Sequence, residues 1–417
     1  MSKFQNEAQI QKWLEIEIQS NEGLWECIEN TNYLDKFVPK SPVENRLLES
    51  YEICAKSLPM LELISADKNI SLTKSEILKP DLLLYAPETQ SLVLVEIKND
   101  YGATRNAGTE LSAYAAEARS YVPFISDGDI ASIVISTQWP TLLRHSVFHE
   151  IFWMSRNILC LEPVISNGET KLRIYPIDKL LDTSITEAVH SQYLGGYQLC
   201  LYDYGLYGDN PNRNRLDVHS PQMRAALDAM AAKGNSQKGH GFAFLWKDNW
   251  SASLAPYSIT IVNFAAFQSI ERFIRESGPN ADLTEMQKKF MNIVFEHSPQ
   301  GHGQGLEEIR KSGVRFLDKI CSHRQEGFHS WEPLKQAMLG RPHELLAFRA
   351  WGKFSDAYHR RLVEKYDNGE HHILPDCPDL GLEVINEIVG YNHPFLDITA
   401  MDWGVSEIED DFLDDED

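Results

Sequence analysis

Apolar and polar positions change period several times in the first 175 residues, and each change marks an element. Val43, Leu47, Leu48, Tyr51, Cys54 and Leu58 recur at helical spacing and form one face. Ser41-Pro42-Val43-Glu44 opens that helix with a capping serine, a proline in the first turn and a glutamate three residues after the serine. The helix stops before Pro59, and a short strand follows at Leu61–Ser65. Two apolar runs, Leu82–Tyr85 and Leu92–Ile97, flank the turn-forming stretch Ala86-Pro87-Glu88-Thr89-Gln90-Ser91 and predict a β-hairpin. Next come a helix over about Ala107–Tyr121, a strand at Ile130–Ser136 and a helix at Leu142–Met154. Strands at Ile158–Ile165 and Lys171–Ile174 follow, joined by the turn Asn167-Gly168.

A second stretch of α/β pattern begins after about Gln192. Gln198–Tyr204, Gly241–Trp246 and Ser258–Phe264 read as strands, Pro221–Ala232 as a helix, and Gly205–Asn214 as a loop. From about Ala265 the pattern is mainly helical: Ala265–Glu276, Leu283–Phe295, Leu306–Ser322, and two or three helices between Trp331 and Tyr366, with a glycine-rich joint at Ser298–Gly305. These readings divide the chain into 1–40 (helix and loop), 41–192 (first α/β domain), 193–280 (accessory α/β region), 281–405 (helical region) and 406–417 (acidic tail). No repeat of fixed period is present.

Composition narrows the class. A chain of 417 residues that is 43% hydrophobic can build two or three cores. No run approaches a bilayer span, and Met1–Lys12 is too polar for a signal-peptide core, so the expectation is a cytoplasmic protein off the membrane. Six scattered cysteines with no C-x-x-C pair argue against a disulfide framework or structural zinc. The net charge of −22 opposes indiscriminate phosphate binding. Its distribution is uneven: residues 302–365 hold 12 Lys and Arg against 8 Asp and Glu, whereas 406–417 hold eight acids and no base. That tail is expected to be disordered.

The chemistry concentrates on the hairpin. Pro80-Asp81 precedes its first strand and Val95-Glu96-Ile97-Lys98 ends its second. A hairpin of this size brings Asp81, Glu96 and Lys98 to one end of a sheet, with Glu96 and Lys98 on the same face. Asp81 and Glu96 suit a hard cation such as Mg²⁺, or Mn²⁺ in its place, which needs few protein carboxylates because it keeps water ligands. Lys98 would then orient an attacking water or offset negative charge in the transition state. A charged pair at the end of the continuous apolar run Leu92-Val93-Leu94-Val95 sits on a central strand rather than a solvated one.

These residues, Asp81 with Glu96-x-Lys98, resemble the PD-(D/E)xK nuclease superfamily over about residues 41–175, whose core order of α-β-β-β-α-β matches the pattern from Ser41 to Ser136. The resemblance implies an α/β fold: a restriction-endonuclease-like N-terminal domain with a mixed sheet flanked by helices, followed by a C-terminal α/β and helical accessory region. It also implies a further acid on the preceding helix, for which Glu44 is the match and Glu49 the alternative. A Gln-x-x-x-Tyr motif of some branches corresponds to Glu110 and Tyr114, with Glu replacing Gln. The implied activity is Mg²⁺-dependent hydrolysis of DNA, as in restriction or anti-phage defence effectors.

Two basic groups could recruit DNA. Arg310, Lys311, Arg315 and Lys319 form a helical stripe, and Arg349, Lys353, Arg360 and Arg361 lie among Phe348, Trp351, Phe354 and Tyr358. The competing reading is an amphipathic helix with core aromatics and solvated bases. His240, His302 and His371-His372 near Asp376 and Cys377 lack a recognised metal-ligand spacing and read as loop histidines. The alternatives to a DNA endonuclease are a catalytically silent scaffold subunit of a protein complex and an RNA-directed nuclease. A protein partner or self-association would supply the positive charge the nuclease domain lacks.

Overall fold

The computed structural model describes residues 4–390, apart from 5, 22, 74–76, 100–106, 181–188, 190, 204–205, 207–211, 213, 266–284 and 298–302. The helix read at Ala265–Glu276, His302, most of the Gly205–Asn214 loop and the acidic tail therefore lie outside the described residues. The chain forms two units that meet in sequence between residues 186 and 187.

The first unit is built on α1 (Glu7–Asn21), α2 (Asn32–Lys36), α3 (Pro42–Ala55) and a six-stranded sheet. Its strands are β1 (Glu62–Ala66), β2 (Leu82–Ala86), β3 (Ser91–Lys98), β4 (Ile130–Ser136), β5 (Asn157–Ser166) and β6 (Glu169–Ile174). They lie in sequence order; β3–β4 and β4–β5 are parallel and the other pairs antiparallel. The parallel pairs require crossovers, supplied by α4 (Ala107–Tyr121) and by α5 (Thr141–Phe148) with the π turn that continues it to Trp153. A short α6 (Ile177–Leu180) closes the unit.

The cap read at Ser41 is present: the Ser41 hydroxyl accepts the Glu44 N–H at 3.1 Å. The α3 face of Val43, Leu47, Tyr51 and Cys54 is buried, and the helix packs on β4 and β5. Ser50, a polar residue within that face, accepts the Ile158 N–H and donates to the Ile158 carbonyl, which compensates for its burial. All eight positions of β3 are buried, as a strand covered on both faces requires. Residues 1–40 belong to this unit: α1 packs on β1 and β3, and the Glu29 N–H donates to the Leu172 carbonyl at 2.9 Å.

The second unit contains a five-stranded, wholly antiparallel sheet. Its strands are β7 (Leu194–Tyr202), β8 (Gly241–Asp248), β9 (Tyr257–Phe264), β10 (Ser322–Ser330) and β11 (His343–Trp351), in the order β10-β7-β9-β8-β11. Its helices are α7 (Ser220–Ser236), α8 (Glu285–Glu296), α9 (Gly303–Val314), α10 (Trp331–Leu339), α11 (Lys353–Asp367) and α12 (Pro378–Gly390). Alternation on β8 separates two apolar layers. Ala243 and Leu245 join Leu227, Met230, Leu306 and Ile309, whereas Phe242 and Phe244 pack against Trp331 and Phe348.

The expected division into 193–280 α/β and 281–405 helical is corrected here. One sheet draws β7, β8 and β9 from the first stretch and β10 and β11 from the second. The helix read at Leu306–Ser322 ends at Val314, and β10 begins at Ser322. β10 is an edge strand of largely polar residues with no apolar alternation, so its sequence carries no strand signal. β11 contains Leu345-Leu346-Ala347-Phe348, a short apolar run that suits a helix or a strand equally.

Candidate functional site

Asp81, Glu96 and Lys98 meet at one end of the β2–β3 pair. The register places Leu82 opposite Val95, and the Ile97 N–H donates to Asp81 Oδ2 at 2.7 Å. That bond fixes one Asp81 oxygen to the strand carrying Glu96. Glu96 and Lys98 share a face, and Lys98 Nζ donates to Glu96 Oε1 at 2.6 Å and to Glu110 Oε2, on the first turn of α4, at 2.7 Å. The Lys98 and Glu96 side chains are 7% and 5% exposed, so water screens their ion pair poorly. Glu96 Oε2 is buried with no hydrogen-bond partner among the described residues.

Electrostatics at this corner are under strain. Burial pushes the Asp81 carboxyl up to about 6. The Ile97 N–H and the Lys98 charge oppose the rise, and the charges of Glu7 and Glu110 add to it. Glu96 is driven up by burial and then by the Asp81 charge, against Lys98. Burial disfavours the Lys98 ammonium, but Glu96 and Glu110 outweigh it and hold its pKa above the usual lysine range. Two desolvated carboxylates repelling each other, one with a bare oxygen, form a donor pair that a further cation would relieve. Among the described residues no three His, Cys, Asp or Glu side chains are grouped to hold a metal. The fitting donors are therefore the pair Asp81 and Glu96, which suits an ion that keeps water in its shell.

The other expected residues divide. Tyr114 is buried, and its hydroxyl donates to the Lys79 carbonyl at 3.0 Å, bracing the chain two residues before Asp81. Burial raises its pKa, as do the charges of Glu96, Glu110 and Asp81. Glu44 is engaged at its own cap: its carboxylate accepts the Lys40 N–H, and its charge helps raise the Tyr33 pKa. Glu49 accepts from Asn45 Nδ2 on α3.

An acid absent from the sequence reading contributes its charge at Asp81. Glu7, in the first turn of α1, accepts the Asn99 N–H at 3.1 Å through Oε1. The available signal was a helix start, since the Asn6 side chain accepts the Gln9 N–H as a cap and leaves Glu7 at the helix entrance. Nothing local ties that helix end to residue 99.

Most of the basic positions are already paired. Arg310 binds Glu307 at 2.5 Å, Lys311 binds Glu308 at 3.1 Å, and Arg349 binds Asp228 at 2.5 Å. Lys353 is buried and lies 3.4 Å from Asp356, and Arg361 contacts Glu364, Glu383 and Glu387. Arg315 and Lys319 are exposed, and Arg360 is half-buried. Phe348, Trp351, Phe354 and Tyr358 are buried, but the amphipathic helix expected there is corrected: Phe348, Arg349 and Trp351 lie on β11, and the helix begins only at Lys353.

Compared with protein-family models, with curated proteins and with solved structures, the chain matches none. No helix among the described residues is long and apolar enough to cross a membrane.

Proposed function

We propose that the first unit is a Mg²⁺-dependent phosphodiesterase of the PD-(D/E)xK type that cleaves DNA. The observation that carries this reading is the convergence of Asp81, Glu96 and Lys98 with a buried, unpartnered Glu96 oxygen. A structural ion pair would not need that oxygen bare, since burying an unsatisfied carboxylate oxygen costs free energy.

Asp81 and Glu96 would hold the ion, which supplies charge neutralisation and a more acidic water when bound. Lys98 places its ammonium on the same face as Glu96, where it can orient the attacking water and offset charge on the phosphoryl oxygens. The Ile97 N–H occupies one Asp81 oxygen, and the other would be left for the ion. Tyr114 holds the Lys79–Asp81 entry to β2 in place. Glu7 adds a negative charge at the α1 end, in the role that the superfamily resemblance assigned to Glu44. The surrounding acids make the site dependent on a cation before a polyanion can approach.

A plasmid-nicking assay with Mg²⁺, Mn²⁺ or EDTA tests the reading. Cleavage should require the divalent ion, and Asp81→Asn and Lys98→Met should each reduce it by roughly 100-fold or more with the fold retained. Full activity in both variants would overturn the assignment. A parallel RNA substrate decides the nucleic acid.

A further inference from the structure

Lys98 is shared between two carboxylates from different elements, and this sharing bears on how the site accepts a cation. Nζ lies 2.6 Å from Glu96 Oε1 on its own strand and 2.7 Å from Glu110 Oε2 on α4. An ammonium has three hydrogens, so both bonds form at once. Glu96 is thereby asked to serve two cations. Lys98 holds one of its oxygens, and the reading above assigns the carboxylate to a divalent ion. A divalent charge brought beside Glu96 repels the Lys98 ammonium, which is too buried for water to screen it well. Glu110 is the compensating anion already in contact. Its side chain is 33% exposed against 5% for Glu96, so it keeps part of its hydration and can carry the ammonium's charge at lower cost. Its place is firm, since α4 packs on β3 and Tyr114, one turn further on, is tied to the Lys79 carbonyl.

We propose that Glu110 is a positioning residue that holds the Lys98 ammonium beside the Glu96 carboxylate, leaving that carboxylate able to bind a divalent cation. This rests on the phosphodiesterase reading of the site. It goes further by giving Glu110 a role exercised through Lys98 rather than through direct ligation. Without Glu110, Lys98 retains only Glu96, and a divalent ion must compete with it for that carboxylate. Without Lys98 the competition disappears, and so does the need for Glu110.

The test is a double-mutant cycle on Mn²⁺ affinity, measured on the metal-free full chain by electron paramagnetic resonance or calorimetry. Glu110→Ala should weaken Mn²⁺ binding about 10-fold in the wild-type background and less than about 2-fold in Lys98→Met. Glu110→Gln, which keeps volume and an acceptor but loses charge, repeats the cycle should the alanine variant fold poorly. Equal loss in both backgrounds would make Glu110 a direct attractor of the ion and overturn the proposal. No loss in the wild-type background would overturn it too. Wild-type protein that binds no Mn²⁺ would instead remove the phosphodiesterase reading itself, and this inference with it.

Discussion

Glu7 accepts the backbone N–H of Asn99 at 3.1 Å, across 92 positions of chain. The bond docks the first turn of α1 against the residue that follows Lys98, and it places a carboxylate whose charge is felt at Asp81. Glu7→Ala should lower metal-dependent cleavage about 10-fold, the usual cost of losing a residue that orients a metal site from one step away. Glu7→Gln keeps an acceptor for Asn99 and should fall between. Nicking rates at saturating and limiting Mn²⁺ measure both.

Trp351 is enclosed by two glycines. A Cβ at Gly234 would lie 2.4 Å from Trp351 Cγ, and one at Gly241 would lie 2.8 Å from Cζ2. The ring cannot yield, because it is fully buried and its Nε1–H is bonded to Asn263 Oδ1 at 3.0 Å. Within α7, Gly234→Ala gains about 1 kcal/mol of helix propensity, but overpacking a fixed ring costs about 1–3 kcal/mol. The expected result is net destabilisation and a lower melting temperature for the second unit, read by thermal unfolding.

His240 caps α11 as a neutral ring. The Lys353 N–H donates to Nδ1 at 3.1 Å, which leaves the proton on Nε2. Burial, then the Lys353 charge, depress its pKa to about 4, with Asp356 opposing. Between about 6.5 and about 4 the unfolded chain therefore binds this proton more readily than the folded one. Stability contributed here is complete above that window and is lost as pH falls through it, by at most about 3 kcal/mol. His240→Asn, which retains an acceptor, should flatten the difference in urea midpoint between pH 7.5 and pH 4.5.

DNA affinity should discriminate among the basic residues by their partners. Arg310 and Lys311 are neutralised by Glu307 and Glu308, whereas Arg315 and Lys319 stand exposed. Alanine at the first two should change affinity less than about 2-fold. Alanine at either of the second two should weaken it and reduce the slope of log affinity against log salt by about 1. Filter binding across a salt series measures this.

The first unit was largely legible because its signals are local. The Ser41 cap, the β2–β3 hairpin and the run Leu92–Ile97 are each written in a short contiguous stretch, and the hairpin alone brings Asp81, Glu96 and Lys98 together. Glu110 was legible through the resemblance, although its pairing with Lys98 was not. Glu44 is engaged at its own helix cap, and a capping glutamate and a catalytic one look alike in sequence. Glu7 was hidden because its contact depends on how α1 docks on the finished sheet. The second sheet was hidden for a related reason. β10 is held by backbone bonds to β7 and by the single apolar side chain Phe328, and backbone pairing leaves no mark on side-chain periodicity.

That pairing has a cost in time. β7 is finished early in synthesis of the second unit, but its partner on one side is not made until the ribosome has passed Ser330. Until then, an apolar strand carrying Leu194, Tyr197, Leu199 and Leu201 presents an unpaired backbone edge to the cell. Such an edge invites pairing with other chains. The nascent protein should thus stay open to such pairing, even after β9 has covered the other edge of β7, until β10 emerges, and a chaperone that covers strand edges would act up to that point.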